Sequence, residues 1–72
     1  MAPLRQELGG VLSDALKKRR RDDSLEVAVG RETRRAGMRY QDYLEVMEAV
    51  RGMARKRKLD PWKAAEVLLD EQ

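Results

Sequence analysis

From Arg39 to about Arg57 the apolar side chains recur with the period of an α-helix, and no other stretch constrains the fold as strongly. Tyr40, Tyr43, Leu44, Met47, Val50 and Ala54 make one stripe, which Val46 and Met53 widen to nearly half the circumference. A stripe that wide touches neighbours on two sides. The acids Asp42, Glu45 and Glu48 come first and Arg51, Arg55, Lys56, Arg57 and Lys58 last, the order a helix dipole favours. The segment is expected to be the central helix of an all-α fold.

The flanking segments have the same character. Leu4, Leu8, Val11, Leu12, Ala15 and Leu16 fall within one arc of a helix, with Pro3 suited to its first turn and Gly9 and Gly10 on the opposite face. The run from Lys17 to Arg21 points in five directions if it stays helical, so the helix is expected to end near Lys18 to Arg20, with Asp22, Asp23 or Ser24 capping the next element. "DSLE" has the spacing of a capping box with Asp23 as cap. Leu25 to Val29 fits two patterns: alternation suggests a short strand, whereas the cap signal and the Leu25, Val29, Ala36 spacing suggest a helix closed by Gly37. "LDPW" breaks the chain and restarts it, with Asp60 as cap, Pro61 as first helical residue and Trp62, Ala65, Leu68 and Leu69 facing inward. The expectation is a single domain over residues 1–72, a bundle of three to four helices with a possible strand at 25–29.

A chain of 72 residues buries only about 60% of the surface its unfolded form exposes. It is therefore expected to lean on a partner, most simply a second copy, through Tyr43, Val46, Met47, Val50 and Met53. Methionines on this helix, adaptable in packing, suit a partner groove as well as a core.

Cysteine and histidine are both absent, which removes disulfides, thiolate metal sites and the usual nucleophile and base pairs. Ser13, Ser24 and Thr33 are the only aliphatic hydroxyls, and none has a histidine to activate it. No enzymatic activity, cofactor or metal site is expected, and a reducing cytoplasm is the natural setting. No apolar run follows a basic start and nowhere do about eighteen apolar residues stand together, so neither export by an ordinary signal peptide nor membrane insertion is expected.

Charge is the remaining guide. Residues 1–21 carry +4, 22–38 carry −1, 39–58 carry +3 and 59–72 carry −3. Two basic clusters, at 17–21 and 55–58, would bind DNA or RNA through phosphate if the fold brought them together. Lys17, Lys18, Arg20, Arg55 and Lys56 are the candidates; the alternative is that both clusters are solvated helix ends. Aromatic residues are too few for a base-stacking surface.

The stretch "RETRRAGMRYQDYLEVM", residues 31–47, has the small residue, turn glycine and apolar anchors of a helix-turn-helix at Thr33, Gly37, Met38, Tyr43 and Val46. Within it, "AGMRYQ" resembles the turn and recognition-helix start of the lac repressor family. That resemblance implies that Arg39, Tyr40 and Gln41 face base edges while Arg34 and Arg35 contact phosphate. The same residues also suit an ordinary corner between two helices. Two functions follow as expectations: a non-enzymatic nucleic-acid-binding regulator, or a helical module that binds another protein as adaptor or inhibitor.

Overall fold

The computed structural model describes residues 4–71, which form four helices and no strand: α1 (Gln6–Lys18), α2 (Leu25–Arg35), α3 (Tyr40–Arg57) and α4 (Pro61–Asp70). The first helix buries Leu8, Val11, Leu12 and Ala15 and stops where Arg19 turns extended, leaving Lys17 and Lys18 in its last turn. Pro3 lies outside the described residues, and α1 starts at Gln6.

Residues 25–29 are helical. In α2 the buried positions are Leu25, Ala28, Val29, Glu32 and Thr33, a helical repeat that turns Val27 outward. The cap differs from the expected one. Ser24, not Asp23, caps the helix, its hydroxyl accepting from the Val27 N–H at 3.2 Å. Asp23 instead ties the loop, accepting from the Arg20 N–H at 2.8 Å and from the Arg31 guanidinium at 2.6 Å. At the far end Gly37 takes a left-handed conformation (φ 72°). Its N–H donates to the Arg34 carbonyl and that of Met38 to the Thr33 carbonyl, the paired bonds of a Schellman motif.

In α3 the inward positions are Val46, Met47, Val50 and Met53. Tyr40 and Leu44, placed on the apolar stripe by their spacing, are 71% and 40% exposed. The reason is rotation: their line along α3 continues through Glu48, Arg51 and Arg55, all exposed, so it lies on the flank of the helix and not on the face that buries Val46, Met47, Val50 and Met53. α4 begins as its sequence indicates, with the Asp60 carboxylate accepting from the Lys63 N–H at 3.1 Å and Pro61 in the first turn. Ala64, Ala65 and Leu68 are buried, and Trp62 and Leu69 pack at the edge of the core.

All four helices feed one cluster, with Leu8, Leu12, Leu25, Val29, Val46, Met47 and Val50 its largest fully buried side chains. This corrects the expected interface. Val46, Met47, Val50 and Met53 are covered by the chain's own helices, because α3 touches α1, α2 and α4 and so spends its wide stripe internally. Of the five residues expected to meet a partner, only Tyr43 keeps a partly open side chain. The radius of gyration, 11.0 Å, equals the roughly 11 Å expected of a closed domain of this length, so the single chain shelters its own core. Among the described residues no helix is long and apolar enough to cross a membrane.

Candidate nucleic-acid interface

The longest run of cations in the chain, Lys17 to Arg21, spans the end of α1 and the start of the α1–α2 loop, and two contacts fix what lies beside it. Arg19 lies over the Trp62 ring at 4.4 Å from its centroid, which sets the loop against the start of α4. The cations of the last α3 turn, Arg55 and Lys56, and Lys58 at the corner, precede that point by only a few residues and are exposed. On the other side, Lys18 of α1 and Arg35 of α2 each approach the Glu32 carboxylate at 3.9 Å. Lys18 and Arg35 line a shallow hollow with Glu32 and Asp14, and Lys17, Arg20 and Arg21, neighbours of Lys18 in the chain, are exposed. Cations are thus exposed at the ends of α1, α2 and α3, with the first two helices joined at Glu32 and the α1–α2 loop joined to the start of α4 by Arg19 on Trp62. Arg57 and Arg31 do not add to this surface: Arg57 pairs with Glu71 at 2.7 Å, and Arg31 is held by Asp23.

Glu32 is the anomaly in this surface. It is 4% exposed, and its Oε2 makes no hydrogen bond within the protein, although Arg31, Lys18 and Arg35 stand 3.7 to 3.9 Å from its oxygens. A helix-turn-helix fills this position with an apolar side chain; here a carboxylate draws three cations over the α1–α2 contact.

The second group of expected residues lies at the α2–α3 corner. Arg34, Arg39 and Tyr40 line one open groove of about 550 Å³ together with Met38 and Tyr43. Tyr40 stacks on Tyr43, ring centroids 5.6 Å apart. Gln41 is exposed but does not line this groove, and Arg35 lies on the other side of α2, beside Glu32. The corner therefore divides the five residues between three surfaces.

The acids of the first α3 turns have local work. Asp42 accepts from the Arg39 N–H at 3.1 Å and from Arg5 at 2.7 Å, and Glu45 meets the same Arg5 at 3.4 Å. The Arg39 N–H first, and then the Arg5 guanidinium, hold the Asp42 carboxyl below the usual carboxylate range. For Asp23 the chief cause of the same downward displacement is Arg31, with the Arg20 N–H second.

Three features of these surfaces are not evident as such in the sequence. Val27, 53% exposed, looks like a core residue in "LEVAVG" until the inward set Leu25, Ala28, Val29 and Glu32 is known; a helical projection anchored on that set would have found it. Glu26 and Gly30 line the groove with it. The contact of Arg19 with Trp62 joins residues 43 positions apart, beyond the reach of any local pattern. No protein-family model matches the chain, and neither a curated protein nor a solved structure is similar to it.

Proposed function

We propose that the chain is a small, non-enzymatic nucleic-acid-binding protein that grips duplex phosphate with the cations of the α1–α2 loop, Arg35 and the α3–α4 corner. The observation that carries this reading is the approach of exposed Lys18 and Arg35 to one carboxylate, Glu32, with Lys17 and Arg20 exposed beside Lys18 in the chain and Arg19 on Trp62 setting the same loop against the start of α4. Each neutralised phosphate releases condensed counterions, so such a surface binds with little regard for sequence and with strong dependence on salt. A transcriptional regulator of helix-turn-helix type is the sequence-specific form of the same proposal, with Arg39, Tyr40 and Gln41 toward base edges. Retardation of random duplex at 50 mM salt tests the general form. Binding should appear there and fade as salt rises, and replacing Lys17, Lys18 and Arg20 with alanine should lower the slope of log K against log salt by about 0.9 for each phosphate no longer neutralised. No retardation at 50 mM salt would end the proposal.

A second reading, a module that docks on a different protein as adaptor or inhibitor, is supported by the exposure of Val27, Tyr40 and Leu44. It predicts a complex that survives high salt and tolerates loss of Arg39 and Gln41.

A further inference from the structure

The groove between α2 and α3 has a property that charge composition alone does not reveal. Its α2 wall presents Glu26, Gly30 and Arg34 within one arc of the helix, and Glu26 and Arg34 each stand four residues from Gly30. A two-fold axis through Gly30 therefore lays α2 antiparallel on a second α2 with Glu26 of each copy opposite Arg34 of the other. Gly30 has no side chain, so the helices approach closely at the crossing point. A Cβ there would meet only the Tyr43 ring at 3.8 Å within its own chain, so nothing inside the subunit needs Gly30 to lack a side chain. Beside this helix face lie exposed Val27 and Tyr40, the latter stacked on Tyr43, which supply apolar area on both sides of the axis.

We propose that this groove is a homodimer interface in which a second copy of the chain packs α2 against α2 about Gly30, with the Glu26 and Arg34 pair formed twice. Isologous contacts require a surface complementary to itself, and the opposite charges at equal distances from Gly30 provide it. The surface differs from the one the α3 stripe suggested: Val46, Met47, Val50 and Met53 stay in the core of each subunit. The interface is independent of the phosphate-binding reading, since the cations around Glu32 remain outside it. It does enclose Arg34, Arg39 and Tyr40, so base reading by those residues and this dimer exclude each other.

Sedimentation equilibrium on the full chain tests the inference, with circular dichroism confirming that each variant is helical. The wild-type chain should dimerise at micromolar concentration. Glu26→Arg and Arg34→Glu, both at exposed positions, should each weaken dimerisation by about tenfold or more, because like charges then face each other twice. Mixing the two single variants should yield a heterodimer, since each copy supplies the charge the other lacks, and the double variant should dimerise like the wild type. A wild-type chain that stays monomeric at 100 µM would overturn the proposal, as would single variants that dimerise unchanged or a mixture that stays monomeric. Retardation of duplex DNA by the monomeric variants, measured in parallel, separates failure of this interface from failure of the phosphate-binding reading.

Discussion

Lys58 is the one described non-glycine residue with a positive φ, 55°, at the end of α3. Its N–H and that of Leu59 both reach the Ala54 carbonyl, so the helix closes by a left-handed turn without the residue that suits it. A Cβ in that region costs on the order of 1 kcal/mol. Lys58→Gly should therefore raise stability by about 1 kcal/mol, and Gly37→Ala, which places a Cβ at φ 72°, should lower it by a similar amount. Urea titration checks both, as a shift of midpoint with the slope unchanged. Aspartates 23 and 42 give the acid limb of stability. Both are displaced downward in the folded chain, Asp23 chiefly by Arg31 and Asp42 chiefly by the Arg39 N–H. Their stabilisation is therefore complete above the unfolded value of about 3.9 and is lost as pH falls through the lower folded values. Melting curves from pH 7 to pH 2 should show the loss begin near pH 4, and Asp23→Asn or Asp42→Asn should flatten it.

Helix ends carry much of what was legible in this sequence. Asp60 before Pro61 and Gly37 after α2 announce their boundaries through local chemistry, and both stand where that chemistry puts them. Asp60→Ala should cost about 1 kcal/mol, because the Lys63 N–H loses its acceptor at a helix start. Thermal denaturation followed at 222 nm would read this as a lowered midpoint. Ser24 and Asp23 mark the limit of such signals. Either residue suits a cap, and the choice is made by Arg31, eight positions along the chain, which draws the Asp23 carboxylate into the loop. Residues 25–29 are ambiguous for a similar reason: Leu25, Val27 and Val29 alternate, but only packing against α1 and α3 decides that Val29 is buried and Val27 is not. The periodicity of α3 correctly gives a helix yet misplaces Tyr40 and Leu44, since a stripe nearly half the circumference wide does not say which of its edges the neighbouring helices cover, and here they cover the Val46 and Met53 edge. For the candidate site, the cations are plain in the sequence, but the meeting of Lys18 with Arg35 at Glu32 and of Arg19 with Trp62 depends on the packing of the helices.

At the scale of the molecule, charge is unevenly engaged. The acids of the final segment are mostly occupied nearby: Asp60 caps α4, Glu66 pairs with Lys63 at 3.5 Å and Glu71 with Arg57 at 2.7 Å. At the end of α1, Lys18 and Arg35 share Glu32, with Asp14 beside them, and the desolvation of Glu32 is offset by Lys18, Arg31 and Arg35 rather than by hydrogen bonds to Oε2. Glu32 thus holds the basic surface together and at the same time weakens its pull on a polyanion. Glu32→Gln keeps the side-chain shape, removes one negative charge from the centre of the stripe and raises the net charge from +3 by one unit. If phosphate sits on Lys18 and Arg35, the variant should bind duplex DNA more tightly at 50 mM salt, and the slope of log K against log salt should steepen by up to about 0.9. A neutral substitution on the α4 side, Glu66→Gln, adds the same unit of charge away from Lys18 and Arg35 and should leave that slope nearly unchanged. Equal effects of the two variants would mean that net charge alone governs binding, and a weaker complex with Glu32→Gln would remove Lys18 and Arg35 from the phosphate contact altogether.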